Sequence, residues 1–347
     1  MTTGILWAEV STTLAETIPE TAAASEYANV TVPAVNIILE GACIVLLLGV
    51  IVAGIILLRN HVREWLFPFG IGLVFNLVFQ YMLFNQRFGL LILGFGWLHA
   101  NVPFLKDQLT LLNIVLTVLE IGCAILTVIL GMGYWKKSVS RDGRKMSLGG
   151  AIAFGFSFYV VSLFCTGYLL EFYNMISQSR LINASGFDAV LKSVLDAAGD
   201  LTAAEQARYT EALLSLADSS PKIFIQGLLQ CFCLVFEGMA PLAASVLHYG
   251  VLSGKLEHKW HIAGIALHVL VFLPALVVYI LDGFDGFIYV NLGYTLVLAL
   301  VSVFVVIYVS KTYMPDEWKA LGYTRKKQKK DEEREKNKIP KIVMPND

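Results

Sequence analysis

Five ionisable side chains interrupt the long apolar runs of this 347-residue chain. A charged group near the centre of a bilayer is costly, so such groups usually face the interior of a helix bundle and mark functional sites. Carboxyl and imidazole groups act as general bases, bind metal ions or carry protons. The sequence therefore offers five candidate site residues: Glu40, Glu120, Glu237, His248 and His268.

The helical rise of about 1.5 Å per residue gives a depth for each of these groups. Measured from the end expected in the cytoplasm, Glu120 lies about 22 Å deep and Glu237 about 23 Å, so these two acids could meet. His248 lies about 6 Å deep and His268 about 11 Å, close enough to share a ligand. A catalytic zinc ion takes three protein ligands and an open position. If the chain binds a metal, we expect zinc, with His248 and His268 among its ligands.

The composition places these groups in a membrane protein. The chain is 56% hydrophobic and 15% charged, and its mean hydropathy is +0.67, values that a soluble protein of this length does not sustain. Apolar runs of about 20 residues are long enough to cross the bilayer as helices. We predict an all-α, polytopic transmembrane bundle of about seven spans at 35–58, 65–84, 109–135, 147–170, 223–252, 261–281 and 287–310.

Basic residues cluster in every second loop, which predicts the orientation of the bundle. The amino-terminal tail (1–34) is acidic and expected outside the cell membrane, and the charged tail (311–347) is expected in the cytoplasm. The bundle itself then covers residues 35–310. Its long outer loop, 171–221, has the apolar spacing of an amphipathic helical hairpin. The short run 89–105 contains polar residues and a proline, so we expect it to be interfacial or re-entrant.

The expected partners follow from this architecture. The surface of the bundle meets the lipid bilayer, and we expect no nucleic-acid partner. The net charge of −1 is an average over separated charged segments and says little about partners. All five cysteines lie within apolar runs, where we interpret them as small hydrophobic residues.

The order of the spans and the late stretches "FEGMAPLAASVLHYGVLSGK" and "HIAGIALHVLVF" resemble bacterial YhfC-type membrane proteins. That family is grouped with glutamic or metal-dependent intramembrane peptidases related to the prenyl-endopeptidase-like and PrsW-like groups. Its members carry an EExxR motif, then GHGxxE, then a Glu-Arg pair followed by a His, and a last His-x-x-x-Asp. The similarity covers most of residues 35–310.

Four stretches of this chain stand where those motifs are expected. "VLEIGCAI" keeps Glu120, "AFGFSFYV" keeps Gly155, "FEGMAPLAAS" keeps Glu237, and "ALHVLVF" keeps His268. Other key positions differ, since the expected acids, bases and histidines are replaced by Leu119, Cys123, Phe156, Val160, Gly238, Ser245 and Phe272.

The resemblance implies a hydrolase whose catalytic residues would be Glu120, Glu237 and His268, acting on a transmembrane protein substrate. The replaced motif positions favour a divergent, catalytically degenerate member that still binds membrane segments. A different class of function also fits the residues. In a transporter or accessory membrane subunit, Glu120 and Glu237 would form a proton or cation site near the midplane. A third interpretation is structural, with Glu237 a neutral acid hydrogen-bonded within the bundle.

Overall fold

The computed structural model describes residues 27, 29–84, 89–105, 108–165, 168–198, 203–217, 221–281 and 287–322. The described residues form helices and no strands, which confirms the all-α prediction. Most of the two predicted tails, 1–26 and 323–347, lies outside the described residues. The helices are α1 Ala34–His61, α2 Leu66–Phe84, α3 Leu90–Asn101, α4 Leu109–Arg141, α5 Leu148–Cys165, α6 Tyr168–Ser185, α7 Phe187–Ala198, α8 Ala203–Ala217, α9 Pro221–Glu237, α10 Met239–Leu252, α11 Lys259–Leu281, α12 Phe287–Tyr313 and α13 Pro315–Leu321.

Six stretches of helix within the described residues are long and apolar enough to cross a membrane. They are α1, α2, most of α4, the α9–α10 pair from Gly227, and most of α11 and α12. The chain is thus a multi-pass membrane protein whose apolar helices contact lipid. The predicted span 147–170 corresponds to α5, a shorter apolar helix that ends at Cys165. The seventh span and the orientation of the termini stay predictions.

The run 89–105 forms α3 and then a 3₁₀ turn, Pro103–Leu105. The 12 residues of α3 rise about 18 Å, well short of the roughly 30 Å hydrocarbon core. This helix is therefore too short to cross the bilayer by itself.

Two prolines shape the helices that carry the candidate residues. Pro241 has no N–H to donate to the carbonyl of Glu237, one turn earlier, and α9 ends at Glu237. Pro274 lies inside α11 and likewise leaves the carbonyl of Leu270 without its helical partner. The hydroxyl of Tyr294 on α12 donates to that carbonyl at 2.7 Å. The bundle thus satisfies a backbone group that lipid could not.

The predicted helical hairpin is present as α7 and α8, which pack on each other and on α6. Their apolar faces form one cluster with Val32 and Ile182. The amide of Asn183 on α6 pairs with the backbone of Val32, accepting from its N–H at 2.7 Å and donating to its carbonyl at 2.9 Å. The Nδ2 of Asn36 donates to the carbonyl of Leu216 at 2.9 Å. These contacts fasten α6, α7 and α8 to the start of α1.

The main core lies around α10, which packs against α5, α11 and α12. Ten of its residues are buried, and six of them share one apolar cluster with residues of α2, α4, α5, α11 and α12. Small residues allow this close packing. A Cβ added to Gly155 of α5 would come within 2.6 Å of the Cα of Leu242 on α10.

Candidate functional site

A tight turn joins α10 to α11 and places two histidines face to face. Gly254 has a left-handed backbone (φ 73°) that glycine adopts without steric cost. The N–H of Lys255 bonds to the carbonyl of Gly250 at 2.9 Å, and the N–H of Gly254 bonds to that of Val251 at 3.0 Å. These two bonds form a Schellman motif, which ends α10 and turns the chain back. His248, near the end of α10, consequently lies opposite His261, near the start of α11.

The two imidazoles share a hydrogen bond between their Nδ1 atoms, 2.5 Å apart. Their ring centroids are 4.8 Å apart. The ring of His258 follows at 5.7 Å from that of His261. His258 is exposed, His261 is half-buried and His248 is 1% exposed, so the three rings lead from the surface into the bundle.

His268 continues this series along α11 and is also 1% exposed. Its ring lies 5.4 Å from that of Phe158 on α5, and it interacts electrostatically with His248. Between them, Gly264 lies against His248, since a Cβ added there would come within 2.9 Å of the His248 Nε2. The Nε2 atoms of His248 and His268 are both buried and have no hydrogen-bond partner.

The histidines as arranged do not fit the predicted zinc site. Zinc–nitrogen bonds are about 2.0–2.1 Å long, so two nitrogens bound to one tetrahedral ion lie more than 3 Å apart. The Nδ1 atoms of His248 and His261 are closer than that and bond to each other. Within the described part of the chain, no group of three or more His, Cys, Asp or Glu side chains is arranged to hold a metal ion. The arrangement suits proton transfer between imidazoles.

Glu237 ends α9 at the break before α10, half-buried, with a partner on another helix. Its carboxyl is hydrogen-bonded to the side chain of Asn291 on α12. The Oδ1 of Asn291 has no partner, so the amide Nδ2 is the donor. The next residue, Gly238, lies against the ring of Tyr159, which a Cβ would meet at 2.5 Å. This arrangement matches the structural interpretation of Glu237, an acid bound to a neighbouring helix.

The other two carboxyls in apolar runs have separate surroundings. Glu120, on α4, interacts with Cys123 one turn along the same helix. Glu40, on α1, interacts with Cys43, and its Oε2 is buried with no partner. The interactions of the described residues do not bring Glu120 to Glu237, and the paired acid site predicted from depth stays a prediction.

A fourth carboxyl group, that of Glu317 on α13, lies at the edge of the apolar core and has several hydrogen-bond and ion-pair partners. It accepts from the backbone N–H of Leu148 at 2.7 Å and from the hydroxyl of Tyr249 at 2.7 Å, and it forms an ion pair with Lys255. Lys255 also donates to the Tyr249 hydroxyl at 3.0 Å. This polar cluster joins α13, the start of α5 and the α10–α11 turn on the side of α10 next to His248.

Sequence reasoning selected His248 and His268 but missed His261, His258 and Asn291. The spacing "HKWHIAGIALH" contained a signal, since positions 258, 261 and 268 recur on one face of a helix. Asn291 carried no comparable signal, because a single amide side chain in an apolar run does not indicate which residue of another helix it contacts.

Comparison of the chain with protein-family profiles, with characterised proteins and with solved structures finds no match.

Proposed function

We propose that this multi-pass membrane protein is a divergent, non-hydrolytic relative of YhfC-type intramembrane peptidases that binds a transmembrane segment of another protein. The proposal rests on the packing of three of the four stretches that stand at the family's motif positions. Gly155, in the second stretch, lies against Leu242 and Ser245 of the third, at 2.6 Å and 3.1 Å from a built Cβ. Phe158 of the second stretch lies against His268 of the fourth. Motif positions far apart in sequence thus share one core.

The partners of the three candidate catalytic residues support the non-hydrolytic form of this proposal. Hydrolysis needs a carboxylate or similar base to activate water and a polar group or metal to stabilise the oxyanion. Glu237 is bonded to Asn291, Glu120 interacts along its own helix, and His268 packs on Phe158. None of these interactions joins two of the three residues, which supports the non-hydrolytic form.

Two measurements test this proposal in native membranes. A panel of tagged single-span proteins is co-expressed with the wild type and with Glu120→Gln, and we expect the same background cleavage in both. A photo-crosslinking amino acid at Phe272, the position of the family's last Asp, should trap a discrete membrane protein. The control position is Phe304 on α12, an apolar side chain that is 67% exposed. Cleavage that depends on Glu120, or equal crosslinking from both positions, would contradict the proposal.

A transporter or accessory subunit is a second candidate, favoured by the surroundings of Glu237. Its carboxyl and the unpartnered Oδ1 of Asn291 form a polar spot inside a membrane-spanning segment, and such groups often carry protons or cations. Proteoliposomes would then show a substrate-dependent pH change that disappears in Glu237→Gln. Tight vesicles that show no such change across a wide substrate panel would count against it.

The predicted orientation, with the amino terminus outside and the carboxyl terminus in the cytoplasm, belongs to the same proposal. It is supported by the basic residues that flank alternate helix ends. Membrane-impermeant labelling of Ser185→Cys and Lys319→Cys in intact cells distinguishes the sides. We expect labelling at position 185 and protection at 319, and the reverse pattern would overturn the orientation.

A further inference from the structure

Four of the six histidines in the chain lie on the α10–α11 hairpin. Their exposure falls stepwise from His258, at the turn, through half-buried His261, to His248 and His268 in the core. Adjacent rings lie 5.7 Å and 4.8 Å apart for the first two steps. The deepest two interact electrostatically. The series has a solvent end and a buried end.

The bond between the Nδ1 atoms of His248 and His261 admits two proton arrangements when both rings are neutral. In one, His261 donates from Nδ1 and has a bare Nε2, whereas His248 accepts at Nδ1 and carries its proton on Nε2. In the other, these roles are exchanged. A neutral imidazole has one N–H and one bare nitrogen, so no third arrangement keeps the bond. The two states differ by the passage of one proton through the pair.

We propose that His258, His261, His248 and His268 form a proton relay from the solution at the α10–α11 turn into the core of the bundle. A proton from water, by way of His258, adds to the bare Nε2 of His261. The Nδ1 proton of His261 then moves to the Nδ1 of His248, and the Nε2 proton of His248 leaves for the Nε2 of His268. One proton enters, one is delivered, and the pair is left in its other arrangement.

The close packing of Gly264 against the His248 ring supports the last step, the transfer from His248 to His268. The His248 Nε2 has no partner of its own and lies against Gly264, one turn before His268 on the same helix. Any larger residue at 264 would occupy the space next to that nitrogen. The Nε2 of His268 is likewise buried and has no hydrogen-bond partner, so the two Nε2 atoms are not bonded to each other and the last step requires one of the two rings to turn toward the other.

The fixed charges around the hairpin have partners of their own. Lys136 of α4 donates to the carbonyl of Leu252 at 2.7 Å, and Lys259 pairs with Glu257 at 2.8 Å. Lys255 pairs with Glu317 of α13, on the Tyr249 side of α10. α5 presents Phe158 to His268, and α12 presents Tyr313 to Trp260. Among these neighbours the histidines are the side chains that have both a nitrogen that can donate a proton and a nitrogen that can accept one.

The test follows the ring protons of His268 directly. Protein with ¹⁵N-labelled histidine is placed in lipid nanodiscs, and exchange between the His268 ring N–H and water is measured by NMR. In the wild type we expect His268 to exchange despite its burial. His261→Phe should slow this exchange at least tenfold, whereas the matched variant His99→Phe, on α3, should not change it.

Gly264→Ala provides a second variant that keeps all four histidines. Its added Cβ lies against the His248 Nε2 and should also slow exchange at His268 without affecting His261. Exchange at His268 that continues at the wild-type rate in both variants would overturn the relay. Absence of exchange at His268 in the wild type would overturn it as well.

Discussion

Two carboxyl groups at different places in the bundle show how differently the chain treats an acid. Glu317 lies at the rim, where a backbone N–H, a tyrosine hydroxyl and an ammonium group surround it. Glu237 lies inside a membrane-spanning segment, where a single amide is its partner. The first arrangement suits an ionised carboxylate, because every donor stabilises the negative charge. The second suits a group whose proton is held or exchanged.

The sequence draws attention to Glu237, although Glu317 makes more of the contacts that stabilise the fold. Glu237 stands out because it interrupts an apolar run, whereas Glu317 lies in an ordinary polar segment, "MPDEWK". The contacts that fasten α13 to the bundle are nevertheless made by Glu317. A charged residue in an apolar run therefore indicates a candidate site. The hydrogen-bond and ion-pair partners of each carboxyl group then decide what that group does.

Glu317→Ala should have the largest effect on stability. It leaves the Leu148 N–H, the Tyr249 hydroxyl and the Lys255 ammonium without their acceptor, at a cost of about 2–3 kcal/mol. The melting temperature in detergent should fall clearly. Glu64→Ala is the matched control, since Glu64 forms an exposed ion pair with Arg144 at 3.6 Å of the kind worth less than about 1 kcal/mol. Equal melting of both variants would contradict the assigned role.

The same carboxylate predicts how stability depends on pH. Burial raises the pKa of Glu317, but hydrogen bonds from Lys255, Tyr249 and the Leu148 N–H lower it more, and the net pKa lies below the ordinary 4.5. Because the folded pKa is the lower one, the stabilisation is complete above the ordinary pKa and is lost as pH falls through the folded pKa. The melting difference between wild type and Glu317→Gln should hold from pH 7 to 5 and shrink below about 4.5.

Gly155→Ala should have the next largest effect, in the apolar core between the two carboxyls. The new Cβ would meet the backbone of Leu242 at 2.6 Å, and separating α5 from α10 should cost about 1–3 kcal/mol. Gly133→Ala on α4 is the control, because a Cβ there meets nothing within 4 Å. Alanine favours helix by up to about 1 kcal/mol. Thermal melting should shift down in the first variant and slightly up in the second.

Asn183→Ala should have a smaller and local effect. It removes both hydrogen bonds to the backbone of Val32, each worth about 1 kcal/mol. Hydrogen exchange at the Val32 amide should speed up, whereas the amides of α10 should be unaffected. Protection at Val32 that survives the substitution would show that α6, α7 and α8 are held to α1 by their apolar cluster alone.

Glu237→Gln should change stability least, by less than about 0.5 kcal/mol, because the amide keeps an acceptor for Asn291 and adds no charge. Thermal melting checks this. A large loss of stability would mean that the carboxylate is ionised in place, and would make Glu237 resemble Glu317 after all.

The helical fold was predictable because hydropathy and loop charge are properties of the sequence alone, and α1, α2, α4, α11 and α12 fall within a few residues of the predicted spans. The end of α9 at Glu237 was less visible, because it depends on which carbonyl Pro241 leaves unpaired. Pairing between helices was the least predictable. The contact of His248 with His261 depends on the turn at Gly254, and that of Glu237 with Asn291 on how α9 packs against α12.

The middle of α2 departs from the ordinary helical repeat, since Leu77–Tyr81 forms a π-helical turn. Just before it, Asn76 is buried, donating to the carbonyl of Gly72 at 2.7 Å and to the hydroxyl oxygen of Ser157 at 3.2 Å. A π turn holds one residue more than an α turn, so it offsets the phase of everything that follows. The number of residues in this segment therefore determines which side chains after it face inward. A relative lacking one residue between positions 77 and 81 would present the same inward face around Asn76 on an unbroken α-helix.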